Sequence, residues 1–443
     1  MGVGKGAPGW LAAVAGRADV PVFPVVGAGG RPAAEELWLL RGVRVVDHPR
    51  AAAVLVVVGR LTRALLHPAL IVHDQMPAPR ATVWWPVGDG GAELIAALPD
   101  VVTARVGDGD GLRELFADLV AGRRPSGPPA LPDMEAAKWR GVGPYGHGGT
   151  GMTGGVPFGR PLAGRAPDPD GMQLDQLPLS VGPLFPPLPP GLVLHVELQG
   201  DVVRQATLGD NPFRTWPGDP APGPLDTEVF LEARSAPASV ATLEVARARH
   251  HLRWLARVLR LHGLAARSLR ALALARSLSP ADHDAVAALA RTLGRSRSLA
   301  SATAGRGVVH RLGTGSPGGP VARAGGRATD ARVEDRAYKG LGFEPVVHDS
   351  GDAWARLRQR AAEAVQALDL ARRAGERIRH PGAALEGPRG RLAAGCPLPS
   401  STLASLLPEL LAGQEWGDAM TTVASLDLDM EEAAMAQAVP AQA

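Results

Sequence analysis

Cysteine chemistry is limited in this sequence. The chain has a single cysteine, Cys396, between Gly395 and Pro397. An iron–sulfur cluster held by protein thiolates takes four cysteines and a disulfide takes two, so neither can form within this chain. Cys396 is therefore predicted to be an unreactive loop residue.

Histidine offers two sites worth weighing for acid–base chemistry. His348-Asp349 is the adjacent pair that we select for proton transfer, because a histidine beside a carboxylate can act as acid or base. His250-His251 has no nucleophile or carboxylate near it in the sequence. We therefore interpret these two histidines as residues on a helix face.

Metal binding has weaker candidates. Asp89 and Asp108 stand beside glycines and would supply hard oxygen ligands of the kind that Mg²⁺ or Ca²⁺ prefers. Acidic residues next to glycines are more often turn formers. His147 lies in a glycine-rich stretch and has no second ligand at useful spacing. The sequence predicts no metal site.

Composition excludes several function classes. The chain has 443 residues and a formal net charge of +3, and its arginines are spread along helical segments. Nucleic-acid binding usually needs a concentrated basic face, so no nucleic-acid partner is expected. The longest apolar run, residues 51–59, is too short to cross a bilayer. No apolar segment of a signal peptide follows the N-terminus, so we expect a cytoplasmic protein.

The positions of these residues depend on elements that the apolar pattern predicts. In residues 10–125, short apolar strands alternate with helices, and the unbroken run 53–58 is typical of a strand buried on both faces of a parallel sheet. That order is α/β. The glycine- and proline-rich residues 126–170 are predicted to be a linker.

The rest of the chain, residues 171–443, changes character. Residues 171–205 alternate in hydropathy and predict two antiparallel strands joined by a proline-rich turn at 182–191. Apolar residues at three- and four-residue steps then predict a helical core over residues 240–443. The helices are expected at 240–278, 281–293, 352–378 and 403–411.

Five segments of this second half, in the same order, resemble the large (49-kDa-type) core subunit of respiratory complex I. Residues 182–203 look like that subunit's opening β-hairpin. Residues 319–332 are similar to its Gly-Pro-x-x-Arg-Ala-x-Gly…Asp-x-Arg segment, and residues 351–363 to its Gly-Asp-x-x-x-Arg-x-x-x-Arg-x-x-Glu helix. Residues 387–390 and 417–427 complete the series. The resemblance implies a helical bundle like that of the complex I and hydrogenase large subunit.

The first half resembles the small, cluster-bearing (20-kDa-type) subunit. Residues 41–63 match its buried strand, turn and helix, and residues 75–80 match the next helix end and strand start. Both subunits are related to those of membrane-bound nickel–iron hydrogenases. The resemblance implies a fusion of the two subunits, with a flavodoxin-like parallel sheet in the N-terminal domain.

The residues that would do redox chemistry in these families are missing from the matching places. The family holds a [4Fe–4S] cluster with four cysteines near the ends of the strands, but the loops at Asp89 and Asp108 carry no thiolate. The family's quinone-facing hairpin carries histidines, and here Phe185 and Pro189-Pro190 take their places. Neither of the two Cys-x-x-Cys pairs of a hydrogenase is present. We expect no cofactor, and specifically no iron–sulfur cluster.

What remains of the family pattern is a set of charged residues that we interpret as structural. Buried arginine–carboxylate pairs fix geometry more than they add stability. The predicted ion-pair network consists of Arg323, Asp330, Arg332, Asp352, Arg356, Arg360 and Glu363.

Three functions stay open at this point. The first is a degenerate NADH-quinone oxidoreductase-like core subunit that is structural, docks on membrane-embedded antiporter-like or complex I-like subunits, and lies peripherally on the cytoplasmic face. The second is an active quinone-oxidoreductase subunit that works with a cluster-bearing partner and keeps a quinone pocket. The third is a free-standing soluble binding protein.

Overall fold

The structure is a computed structural model that describes residues 14–88, 91–135, 163–168, 171–214, 227–309 and 318–435. An α/β unit comes first, followed by an antiparallel sheet and then by a largely helical unit. The predicted fold class is thereby confirmed.

The N-terminal unit is built on a five-stranded parallel sheet in the order β2-β1-β3-β4-β5. This is the flavodoxin-like strand order. Every residue of the central strand β3 is buried, because helices or neighbouring chain cover both faces of the sheet. The strands are β1 (Val20–Val26), β2 (Val43–Val45), β3 (Val54–Val58), β4 (Ala81–Trp85) and β5 (Val101–Thr103).

The helices of this unit are α1 (Arg31–Glu36), α2 (Arg63–Gln75), α3 (Ala92–Ile95) and α4 (Gly109–Val120). Leu112 and Phe116 of α4 pack on one face of the sheet. Leu65 and Ala69 of α2 belong to a core that covers the other face and continues into the rest of the molecule. The two halves of the chain therefore share one hydrophobic core.

The antiparallel sheet has four strands in chain order: β6 (Gly164–Pro167), β7 (Gln173–Val181), β8 (Leu194–Gln199) and β9 (Val202–Leu208). The proline-rich turn joins β7 to β8, as the sequence predicted, and β6 and β9 add a strand on either side. β6 falls inside the segment predicted to be a linker. Its Gly and Pro suit an edge strand, where a missing N–H is tolerated. Residues 136–162 of that segment, with His147, lie outside the described residues.

The helical unit centres on two long antiparallel-packed helices, α6 (Val240–Leu261) and α11 (Ala353–Ala374). Around them lie α5 (Glu228–Glu232), α7 (Ala265–Arg276), α8 (His283–Gly294), α9 (Arg297–Thr303), α10 (Gly319–Ala324), α12 (Pro399–Ser405), α13 (Leu407–Leu411), α14 (Trp416–Leu426) and α15 (Met430–Met435). Short strands complete the unit: β10 (Ala238–Ser239), β11 (Ile378–Arg379), β12 (Ala384–Glu386) and β13 (Arg391–Ala393). Of the helices described, none combines the length and apolar character needed to span a bilayer.

Two helix predictions were wrong in extent. The helix expected over 240–278 is two helices, because the chain turns at Gly263, whose φ of +72° is a left-handed value that favours glycine. The helix expected over 403–411 is also divided. Pro408 has no N–H to donate to the preceding turn, and a new helix begins at Leu407.

Candidate functional site between the two units

A cavity of 390 Å³ lies between the N-terminal unit and the helical unit. It is bounded by α1, the end of β2, the proline-rich turn, α6 and α7. Much of its wall is apolar and includes Trp38, Trp254 and Leu272. Its size and mixed lining are those of small-molecule sites in proteins.

The proline-rich turn forms one wall of this cavity. Phe185, Pro189 and Pro190, the three positions predicted to replace the family's quinone-facing residues, all line it. The turn is held by the backbone N–H of Leu192, which donates to the carbonyl of Pro189 at 3.0 Å. None of these three side chains can donate or accept a proton.

The polar end of the cavity is Asp427, whose side chain is fully buried. Its carboxylate lies 2.6 Å from Nε2 of His250 and 3.0 Å from a guanidinium nitrogen of both Arg257 and Arg360. Burial alone would raise the pKa of Asp427, but His250 and the guanidinium groups hold that pKa well below its usual value. Asp427 is therefore a fixed negative charge.

Arg257 joins the two units at the mouth of the cavity. One of its nitrogens lies 3.0 Å from Asp427 and another lies 2.5 Å from a carboxylate oxygen of Glu35 on α1. Arg253, one turn earlier on α6, pairs with the second oxygen of Glu35 at 2.8 Å. The docking of α1 on α6 thus depends on charge pairs as well as on apolar contact.

The loop that follows β1 meets the segment at residues 428–431. The backbone N–H of Gly29 donates to Glu431 at 2.8 Å, and the Arg31 guanidinium donates to the carbonyl of Leu428 at 3.0 Å. The carboxyl ends of β1 and β3 are also tied together: a Cβ on Gly30 would lie 2.1 Å from the carbonyl oxygen of Val58. No side chain fits between them.

The resemblance placed an iron–sulfur centre near the ends of the strands, at the loops of Asp89 and Asp108, and the donor groups described in this part of the chain do not fit one. Cys396 is exposed in the turn between β13 and α12. Asp108 caps the N-terminus of α4, since its carboxylate accepts the Gly111 N–H at 2.8 Å. Asp89 lies outside the described residues. In the described ranges, no group of three or more His, Cys, Asp or Glu side chains could hold a metal ion.

A second polar cluster lies deep in the helical unit around Arg323. Its guanidinium lies 2.8 Å from Glu363, 2.9 Å from Asp330 and 2.8 Å from Glu386. Arg332 binds Asp330 at 2.8 Å. Four members of the predicted network, Arg323, Asp330, Arg332 and Glu363, are thus brought together.

Comparison with known proteins bears on this cluster. A family profile described as "Respiratory-chain NADH dehydrogenase, 49 Kd subunit" matches residues 283–394, which contain all four residues. This segment resembles the 49-kDa subunit.

One solved structure with a similar chain is the "Structure of the membrane-bound sulfane sulfur reductase (MBS), an archaeal respiratory membrane complex". The two chains are 19% identical, with a TM-score of 0.46, and the match covers 58% of this chain and 98% of that one. A comparison with curated proteins found no match.

The other three members of the predicted network, within the same 49-kDa-type segment, have different partners. Asp352 caps α11, where its carboxylate accepts the Ala355 N–H at 2.7 Å. This carboxylate was predicted to pair with an arginine of the network, and it binds the backbone of the helix instead. Arg356 donates to the Ser425 hydroxyl at 2.6 Å, and burial lowers its pKa to about 9. Arg360 pairs with Asp427 at the cavity, at 3.0 Å.

The pair selected for proton transfer is not joined. The ring of His348 contacts the side-chain oxygen of Gln359 at 2.9 Å, while Asp349 is exposed. Neither residue lines the cavity. A sequence neighbour is a poor guide here because side chains of consecutive loop residues commonly point apart.

The sequence interpretation missed His250 and His251, which are buried and face carboxylates. Nδ1 of His251 accepts from Arg360 at 3.3 Å, and its Nε2 lies 3.2 Å from Glu363, outside good hydrogen-bond geometry. Burial lowers the pKa of His251 to about 3, so this ring is neutral. One signal was available: α6 carries charged residues at helical spacing on a face that also carries leucines.

Proposed function

We propose that this chain is a core subunit of a complex I-like or hydrogenase-like membrane-associated assembly, and that it acts there as a structural subunit without a redox centre of its own. The observation that carries the proposal is at the carboxyl end of β1. There the Gly29 N–H bonds to Glu431 of the chain itself, in a protein whose single thiol, Cys396, is exposed elsewhere.

Membership in such an assembly is supported by the 49-kDa-type segment at residues 283–394. The flavodoxin-like strand order of the N-terminal unit is consistent with a 20-kDa-type domain fused to it. On this proposal the partners are membrane-embedded antiporter-like or complex I-like subunits. The chain would lie peripherally on the cytoplasmic face of the membrane.

A structural role, without electron transfer, follows from what the chain offers the usual redox groups. A cysteine-held [4Fe–4S] cluster needs four thiolates, and closely packed backbone fills the space at the ends of β1 and β3. The turn that faces the cavity presents Phe185, Pro189 and Pro190, which cannot protonate a reduced ligand.

Affinity purification from detergent-solubilised membranes of the host that encodes the chain tests the assembly. We expect the tagged protein to recover integral membrane subunits, identified by mass spectrometry. Recovery of the chain alone would instead favour a free-standing soluble binding protein. Iron and acid-labile sulfide are then assayed on the purified chain, and stoichiometric amounts of both would refute the structural role.

An active quinone-oxidoreductase subunit working with a cluster-bearing partner is the second candidate. The 390 Å³ cavity favours it, because Trp38 and Trp254 could flank a ring while the Asp427 carboxylate supplies a polar group at one end. Titration of the protein with a water-soluble quinone analogue, followed by tryptophan fluorescence, tests this candidate. Saturable quenching that is lost in Trp254→Leu would support it, and unsaturable quenching in both proteins would count against it.

A further inference from the structure

A file of buried charged and polar side chains starts at the interdomain cavity. Asp427 forms part of the cavity wall. Its carboxylate lies 3.0 Å from Arg360. The same Arg360 nitrogen lies 3.3 Å from Nδ1 of His251, and the far side of that ring lies 3.2 Å from Glu363.

The file continues through the cluster around Arg323. The other oxygen of Glu363 accepts from Nε of Arg323 at 2.8 Å. A terminal nitrogen of Arg323 then lies 2.8 Å from Glu386 and 2.9 Å from Asp330. No side chain of the file is more than 2% exposed.

The far end of the file reaches a second hollow. Asp330 and Glu386 line a groove of 1040 Å³, together with residues of β11, β12 and the turns near residues 331–337. No residue lines both the groove and the interdomain cavity. The file is thus a continuous series of contacts between two hollows of the protein.

Stability alone gives a weak reason for this arrangement. Replacing buried ion pairs by apolar residues of similar volume is often neutral or stabilising, because desolvation offsets the attraction. A buried file has another property: charges separated by protein interior interact more strongly than charges in water. A change of charge at one end is therefore felt at the other.

The groove end has a group that can respond to such a change. Glu386 and Asp330 share one guanidinium, and burial together with the negative charge of Asp330 raises the pKa of Glu386. Several charged groups surround this pair. Arg323 of α10, Arg332 of the turn after it and Arg247 of α6 act on it directly, and Arg391 of β13 stands opposite Glu386 in the hairpin. Glu363 of α11 shares Arg323 with the pair, and Glu244 of α6 shares Arg332.

We propose that the file couples the two hollows electrostatically, so that the charge present at the Asp427 end sets the proton occupancy of the Asp330–Glu386 pair in the groove. A cationic group that enters the interdomain cavity would release a proton from the pair to solvent, and an anionic group would favour its uptake. By linkage, binding in the groove would alter affinity in the cavity by the same factor. This coupling does not depend on the role proposed for the subunit.

Infrared titration of the full chain tests the coupling. A protonated buried carboxyl gives a carbonyl band distinct from that of a carboxylate, and its loss in Glu386→Gln assigns it. Arg257→Gln removes one positive charge beside Asp427 from a side chain that is 26% exposed. Arg253 still pairs with Glu35, so α1 should stay docked and the fold should survive. We expect the midpoint of the band to rise by roughly half a pH unit, the size of a Coulomb interaction across several side chains at an effective dielectric constant of about 20.

The matched control is Arg276→Gln, which removes the same charge from an arginine paired with Glu36 at the surface. A second arm asks whether the contacts of the file are needed. His251→Gln replaces the ring that stands between Arg360 and Glu363 without removing charge, because this ring is neutral. Hydrogen-bonded neighbours polarise one another, so loosening these contacts should reduce the shift caused by Arg257→Gln.

Two results would overturn the proposal. One is a band midpoint that moves no further in Arg257→Gln than in Arg276→Gln. The other is a shift of unchanged size in the His251→Gln background, which would assign the effect to the general field of the protein and not to the file.

Discussion

Arg323 is the residue whose loss should damage the helical unit most. Its side chain is fully buried and its guanidinium serves Asp330, Glu363 and Glu386 together. In Arg323→Gln, the amide cannot contact all three carboxylates and carries no charge. The variant would leave buried negative charges without compensation.

The magnitude follows from this geometry. Removing one partner of a buried ion pair costs about 3–5 kcal/mol, because the other partner stays buried and charged. Glu363 and Glu386 both lose their guanidinium partner here, whereas Asp330 keeps Arg332 at 2.8 Å, so we expect the upper part of that range. For a domain of this size, the loss corresponds to a fall in Tm of roughly 10 °C or more. Arg327→Gln, at an exposed arginine of the same segment, should change Tm little.

The pH dependence of the stability loss in Arg323→Gln gives a sharper test than its magnitude at one pH. Burial would raise the pKa of Glu363, but in the wild-type protein Arg323 holds it well below its usual value. Stability from Glu363 is therefore present above the unfolded-state pKa of about 4.3 and is lost as pH falls through the lower folded value. Without Arg323 the shift reverses, since only burial and the weaker neighbours remain.

The difference in unfolding free energy between wild type and Arg323→Gln should thus be largest near neutral pH and shrink as pH falls toward about 4. Urea denaturation at a series of pH values measures it. A difference that stays constant over that range would refute the reasoning, because it would mean that packing and not charge explains the loss.

Three further predictions concern the N-terminal unit and the single thiol. Gly30→Ala would place a Cβ 2.1 Å from the Val58 carbonyl oxygen, so we expect a loss of about 1–3 kcal/mol by thermal unfolding; an unchanged Tm would contradict the close packing. Asp108→Ala removes the acceptor of the Gly111 N–H and should cost about 1 kcal/mol in urea denaturation, with Asp108→Asn largely neutral. Cys396→Ser should change stability by less than about 0.5 kcal/mol and leave the iron content of the purified protein unchanged; iron lost with this thiol would argue for a role in binding it.

Part of the fold could be predicted because local pattern decides it. The apolar run at 53–58 has no alternation, which only a strand covered on both faces requires, and it is the central strand β3. The boundaries of the helices were harder to predict from the sequence. Gly263 stands in a strongly apolar helical pattern, and an isolated glycine is compatible with either a continuous helix or a turn. Only the packing of α7 against α6 decides between them.

The sequence could likewise predict some of the polar contacts and not others. The sequence could pick out Arg323 and Glu363 through a resemblance that brings distant segments together. It could not pair His250 with Asp427, which lie 177 residues apart, because no periodicity relates them. Asp352 was assigned to an arginine although its place directly before an alanine-rich helix is also the pattern of an N-cap. An aspartate can pair with an arginine or cap a helix, and the position of Asp352 at the start of α11 makes it a cap.

The joint at Arg257 has a consequence for how this protein can be observed. Glu35, Arg257 and Asp427 come from three distant stretches of sequence, and the hollow they border exists only while the α/β and helical units are docked. Two indole rings, Trp38 and Trp254, look into that hollow. The chain has nine tryptophans, and these two should respond when water enters between the units. The difference in emission between the wild-type protein and a Trp38→Phe, Trp254→Phe variant would therefore report domain separation without an added label.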